Sequence, residues 1–342
     1  MTKRSSHPPT PTRVFFAGKG GVGKSTCCVA LAAHLVGTGA SVRVVSLDRA
    51  HSLSTLTGAL MEALRRREMG ENLEIHEPHF DELASSWLGG LSREIRQRYR
   101  YLAPLNLESF ADVVRWSPGV HEHLVAQVLA DDLIRGSESR VPLLVDLPAT
   151  ASFHNLINYV LSAEKWTQAL RKLQNRIRRS ERWASKVHDT AALSREDDSP
   201  GGEPRGRLDS RRELDEKLDE LGGRFQGIRR ALTSASSAFV AVVNPDELSR
   251  EEILEGGAVL RRLGTGFRLV VNNRSEPQGG SILEFAKRIT SPIAALSWPR
   301  ARGLAGGDPD ELATLGAAVW ARLSSGKQER GSRGGEPGEA AR

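Results

Sequence analysis

The sequence has two cysteines, and they are neighbours, Cys27 and Cys28. Adjacent helical side chains point in different directions, so no structural disulfide is expected. Aromatic residues make up 5% of the chain, and the methionines are Met1, Met61 and Met69. No apolar stretch approaches the roughly 20 residues of a membrane span, and residues Met1 to Thr12 are polar without a hydrophobic signal core. No integral membrane segment is expected, and the expected compartment is the cytoplasm. Blocks of one charge sign are missing as well. The net charge is +6 and the pI about 9.6, but Lys and Arg are interleaved with Asp and Glu, which argues against a nucleic-acid partner.

What is present suits a globular α/β protein. With 342 residues, 39% of them hydrophobic and 26% charged, the chain can build one large domain with a substantial insertion. Arg13-Val14-Phe15-Phe16-Ala17 reads as a buried strand, followed by a glycine-rich loop and a helix from Lys24 to Val36 closed by Gly37 and Gly39. Ser41 to Leu47 is a second apolar run ending at Asp48, completing a β-α-β unit. Further strands are predicted at 142–145, 238–243, 267–271 and 293–296. Short strands alternating with helices predict a doubly wound, mostly parallel sheet.

Two stretches, about 55–138 and 151–235, read as mainly helical and are expected to form an inserted helical subdomain on a domain spanning 13–323. In the second, Trp166, Leu170, Leu173 and Ile177 fall on one helical stripe, with Arg171, Lys172, Arg176, Arg178, Arg179 and Arg182 on the remaining faces. A core-facing stripe with a solvated basic face is the favoured reading, and a site for an acidic partner is the alternative. Residues 1–12, the Gly-, Pro- and Ser-rich segment 194–212 and the tail 324–342 cannot bury enough apolar surface to order themselves.

The loop Gly18-Lys19-Gly20-Gly21-Val22-Gly23-Lys24-Ser25 fits the phosphate-loop pattern G-x-x-x-x-G-K-[ST] without a mismatch, in the strand-to-helix context the pattern requires. Gly18, Gly20, Gly21 and Gly23 let successive N–H groups, including that of Val22, converge on phosphate oxygens at the positive end of a helix. Lys24 would reach the β- and γ-phosphates of ATP, and the Ser25 hydroxyl would ligate Mg²⁺. Asp146 ends the run Leu143-Leu144-Val145 and would reach the metal through water. Asp48, at the carboxyl end of the second strand, can orient water there. A turn-capping Asp is the structural alternative at both positions.

Lys19 is a second lysine within the loop. The string from Lys19 to Thr26 resembles the deviant Walker A pattern of MinD, ParA, the nitrogenase iron protein and ArsA. That resemblance implies a homodimer in which Lys19 reaches the partner subunit's phosphates. Asp48-Arg49-Ala50-His51-Ser52-Leu53 resembles the D-P-A-H-S-L first switch of arsenite-pump ATPases and of the ATPases that guide tail-anchored membrane proteins. Membership of that family implies that Asp48 activates the attacking water, with Arg49 in place of proline. Asp146-Leu147-Pro148-Ala149-Thr150 is similar to the start of the second switch, but Ala151 and Ser152 replace its Gly-His pair, which stiffens the hinge. Val271-Asn272-Asn273 resembles a V-N-[QR] string whose Asn binds adenine, and Trp298-Pro299-Arg300 resembles the loop that covers the base. Pro118-Gly119-Val120-His121-Glu122 and Pro245-Asp246-Glu247-Leu248 are similar to two further family strings.

These motifs together predict a Mg-ATP-hydrolysing dimeric switch of the ArsA-like family. A membrane-protein client is among the partners the resemblance implies. Arsenite capture needs clustered thiolates, which one cysteine pair in a helix start does not offer. The C-x-x-C zinc clasp of some relatives is absent, and two internal methionines are few for a groove holding transmembrane helices. A ParA- or MinD-like positioning ATPase and a nucleotide-binding pseudo-ATPase remain as alternatives.

Overall fold

The computed structural model describes residues 9–49, 53, 70–98, 114–115, 117, 119–139, 141–192, 205–275, 285, 294–299 and 309–325. The strands are β1 (Arg13–Ala17), β2 (Val42–Ser46), β3 (Leu73–His76), β4 (Leu143–Asp146), β5 (Ser237–Val243), β6 (Phe267–Ser275) and β7 (Ala294–Pro299). They form one seven-stranded sheet in the order β3-β2-β4-β1-β5-β6-β7. Every pairing is parallel. The helices are α1 (Lys24–Gly37), α2 (Phe80–Arg98), α3 (Val120–Ser139), α4 (Thr150–Ala192), α5 (Arg205–Leu232), α6 (Glu247–Leu263) and α7 (Pro309–Ser325).

Parallel strands are covered on both faces and so read as near-continuous apolar runs. β5 shows the consequence, since Ala238, Val240 and Val242 point into one apolar layer and Phe239, Ala241 and Val243 into the other. The first layer is closed by α1 and α7, through residues such as Leu31, Leu35, Leu315 and Val319. The second is closed by α3, α4, α5 and α6, and in it the Phe15 ring stacks on Phe239 with centroids 4.8 Å apart. Helix ends follow local chemistry. Asp246 caps α6 by accepting from the Ser249 N–H at 2.8 Å, and Gly264 ends that helix at φ +86°.

Several sequence expectations change. The stretch 55–138 contains an edge strand, β3, whose Leu-Glu-Ile-His pattern is too short and polar to stand out from its helical surroundings. Residues 205–212 are helical, forming the opening turns of α5, which is held against α4 farther along by the Arg171–Asp219 and Arg178–Asp215 ion pairs. Of the segments 1–12, 194–212 and 324–342 expected to be unstructured, residues 1–8, 194–204 and 326–342 lie outside the described residues. β7 extends to Pro299, farther than the strand read at 293–296. The stripe of Trp166, Leu173 and Ile177 is exposed, not core-facing. The face that α4 turns to α5 instead carries Thr167 and Arg171, whose guanidinium donates to the Leu218 carbonyl oxygen at 3.3 Å.

Two contacts generate tests. α7 crosses α1 so closely that a Cβ on Gly316 would lie 2.0 Å from the Ala30 carbonyl oxygen. Gly316→Ala is expected to cost about 1–3 kcal/mol by overpacking, read as a lower urea midpoint. On β3, His76 Nδ1 lies 2.7 Å from buried Asp132, and this hydrogen bond raises the imidazole above its usual pKa. A raised folded pKa means that the pair stabilises fully below the unfolded value of 6.5 and that this contribution is lost as pH climbs through the folded one. Asp132→Asn is therefore expected to lower the urea midpoint more at about pH 6 than at about pH 8.5.

Candidate functional site

Adjacent strand ends build the site. Register pairs Phe16 of β1 with Asp146 of β4, and Ser46 of β2 with the same Asp146. The loop leaving β1, the carboxylate ending β4 and Asp48 just beyond β2 therefore meet at one carboxyl edge of the sheet, where ligands of open α/β sheets bind.

Glycine at two loop positions is required by space and conformation. A Cβ on Gly18 would lie 2.3 Å from the Val242 carbonyl oxygen, and one on Gly23 would lie 2.5 Å from Asn273 Nδ2. Gly23 also adopts φ +98° as the N-cap of α1, with no side-chain capping bond, and the first turn of α1 holds no acidic residue. The positive end of α1 is thus left open to an anion. Gly20 and Gly21 are exposed at the loop tip, Val22 is buried beneath it, and half-buried Thr26 follows in the first helical turn.

Lys24 is almost fully buried, and its ammonium meets two oxygens. It donates to the Lys19 carbonyl oxygen at 3.2 Å and lies 3.6 Å from Asp48 Oδ2. Ser25 Oγ donates to Asp146 Oδ2 at 2.6 Å. The second oxygen of Asp146, Oδ1, is buried without a hydrogen-bond partner. Burial pushes the Asp146 carboxyl up to about 6, against the opposing pull of the Ser25 hydrogen bond and Lys24, while Asp48 and Glu77 push it the same way as burial. A buried carboxylate with one orphaned oxygen, beside a serine hydroxyl, offers oxygen donors of the kind a hard divalent cation takes.

Lys19 is half-buried and has no carboxylate partner among the described residues. Ala50, His51 and Ser52 lie outside them. Arg49, the residue in the proline position, reaches Asp81 at the start of α2 at 3.1 Å. Of the two asparagines at the end of β6, Asn273 is the one that touches the loop, donating from Nδ2 to the Val22 carbonyl oxygen at 2.8 Å. Asn272 is buried, with its Oδ1 free of any hydrogen-bond partner. Pro299 ends β7, in register with Ser275.

Two contributors were not foreseen from sequence. Glu77, just past β3, accepts from the Leu53 N–H at 3.2 Å and so ties the segment after Asp48 to the sheet. Asn273 clamps the phosphate loop. Recognising β3 would have placed Glu77 at the same sheet edge as Asp48. The Asn273 clamp depends on tertiary contact alone. A cavity of about 740 Å³ between α3 and α5 lies away from this edge, against Arg13 at the start of β1.

A parallel sheet with a phosphate loop leading into α1 and an acid ending the neighbouring strand has the fold of a P-loop nucleoside triphosphatase. The family model of the anion-transporting ATPases (ArsA ATPases) matches residues 12–282, and the chain belongs to that family. Among its relatives are two proteins of Aquifex aeolicus, provisionally named arsenical pump-driving ATPases 2 and 1. The first is 23% identical over 265 residues, covering 77% of this chain and 80% of the relative. The second is 26% identical over 271 residues, covering 78% of this chain and 63% of the relative.

The Asn273 clamp can be tested directly. Asn273→Ala removes one buried hydrogen bond and lets the loop sample other shapes. Nucleotide is expected to bind roughly fivefold more weakly, as about 1 kcal/mol of lost loop order implies, with the fold intact by circular dichroism; calorimetric titration measures it.

Proposed function

We propose that the chain binds Mg-ATP at residues 18–26 and hydrolyses it as the switch of a homodimer. The observation that carries this reading is the Ser25–Asp146 hydrogen bond beside an orphaned carboxylate oxygen and a buried lysine. Ser25 and Asp146 would hold Mg²⁺, Asp146 through water, and the ion would neutralise charge on the phosphate oxygens. Loop amides and the Lys24 ammonium bind the phosphates and neutralise charge as it shifts toward the leaving group. Asp48, beside Lys24, orients the attacking water and accepts its proton. Lys19, which has no carboxylate partner among the described residues, would serve the partner subunit's phosphates. The free amide oxygen of Asn272 suits the exocyclic amine of adenine, and Pro299 would border the base.

Thiol chemistry has little support in this chain. Cys27 and Cys28 are buried, and burial, with Asp146 nearby, pushes Cys27 up to about 12 and Cys28 well above its usual value. Neither presents the accessible thiolate that would capture arsenite, whatever the relatives' names describe. The work of the cycle is instead mechanical. Thr150 opens α4 just after Asp146, so a change at the phosphates is passed into a long helix that is largely exposed over residues 172–180, where a membrane-protein client would be held.

Asp48→Asn keeps the shape of the site and removes the base. Turnover is expected to fall roughly 10²- to 10³-fold with ATP affinity nearly unchanged, measured by phosphate release and nucleotide titration. Undiminished turnover would remove Asp48 from the reaction.

A further inference from the structure

The helical hairpin of α4 and α5 carries an apolar surface that the nucleotide site does not use. Among the described residues, Trp166 is 67% exposed, Leu173 53%, Ile177 47% and Trp183 71%. All four stand on α4, which is 43 residues long. Residues 166, 173 and 177 lie within about 40° of one another around the helix axis, a ridge about 16 Å long, and Trp183 follows about 26 Å from Trp166 along the axis. Such a run of large apolar side chains in water is not needed for the fold, because α4 is already held against α5 by a different face.

The charges beside the ridge are sorted. Arg171 and Arg178 are occupied by Asp219 and Asp215 of α5. Lys165, Lys172, Arg176 and Arg179 are exposed, fall together on the opposite flank, and have no acidic partner among the described residues. Trp183 falls within that basic flank, about 100° around the axis from Trp166. The surface is a convex ridge on one helix, not a cavity that could enclose a peptide. Tryptophan, branched aliphatics and a row of cations side by side match the interface of an anionic bilayer, where indole rings settle at headgroup depth and Lys and Arg meet lipid phosphates.

We infer that the Trp166–Ile177 ridge of α4, with the adjoining basic flank that carries Trp183, docks on an anionic membrane surface, lying on it without crossing it. No helix among the described residues is long and apolar enough to cross a membrane, which agrees with peripheral contact. This extends the switch reading by naming what the hairpin meets, and it rests on that reading only for any dependence on nucleotide.

The test is flotation of the full-length protein with vesicles of phosphatidylcholine, or of phosphatidylcholine mixed with phosphatidylglycerol. Binding is expected to the anionic vesicles only, weakening as salt screens the row. The Lys172→Gln, Arg176→Gln, Arg179→Gln triple variant should bind on the order of a hundredfold more weakly. A Trp166→Ser, Leu173→Ser, Ile177→Ser variant should lose binding while keeping the parent's circular dichroism and ATP turnover. Absence of binding to anionic vesicles, or binding indifferent to both variants, overturns the inference. So does an apolar variant whose only change is loss of self-association, which would assign the ridge to a second copy, or retention of DNA in place of vesicles. Vesicle binding without turnover would leave the inference standing and remove the switch; turnover without vesicle binding would do the reverse.

Discussion

The hydrogen bond from Ser25 to Asp146 ties the first turn of α1 to the end of β4. Its geometry depends on β1 and β4 being neighbours in register, and on Gly18 letting the loop pass against the Val242 carbonyl. Once α1 is fixed there, α7 packs on α1 across Gly316, and the apolar layer on that face closes. The same bond holds a carboxylate in a place where burial disfavours its charge. Lys24 and Ser25 partly offset that cost.

The Asp146 carboxyl feels the charges of Asp48 and Glu77 as well as that of Lys24, whose ammonium lies 3.6 Å from Asp48. This excess of negative charge has two origins. Asp146 is set by the end of β4, whereas Glu77 arrives by way of the edge strand and grips the backbone at Leu53. Asp48 therefore sits on a segment anchored at both sides, by Ser46, whose hydroxyl meets the Asp48 N–H at 3.3 Å, and by Glu77. The chain also links this segment outward through Arg49 and Asp81 to α2, a connection that a proline in that position could not make.

The parallel sheet and the phosphate loop were legible because their signals are local. Apolar runs mark buried strands, and glycine spacing marks a loop whose backbone must approach other atoms closely. Gly18 and Gly23 stand where any side chain would collide. β3 was not legible, since four residues with alternating polarity carry little periodic signal. The stripe on α4 was legible as a stripe, but periodicity says only that apolar residues share a face, never what lies against it. Here the partner helix took the neighbouring face, through Arg171 and Arg178, because acids on α5 offered ion pairs there. For the same reason composition alone read residues 205–212 as loop, though contact with α4 supports the helix that contains them.

Where related chains have a Gly-His pair, this one has Ala151 and Ser152 within the opening turn of α4. Its first turns are clamped by Phe153, Leu156, Ile157 and Val160 in the core, and no glycine interrupts the helix beyond. A continuous helix of this length spans about 64 Å, so a tilt of about 5° where it leaves the core would carry its far end some ~5 Å. Ångström-scale rearrangement around a phosphate would thereby become a sweep as wide as a side chain, delivered to a tryptophan-bearing tip. Mechanical gain is the property this geometry adds to an otherwise ordinary nucleotide fold.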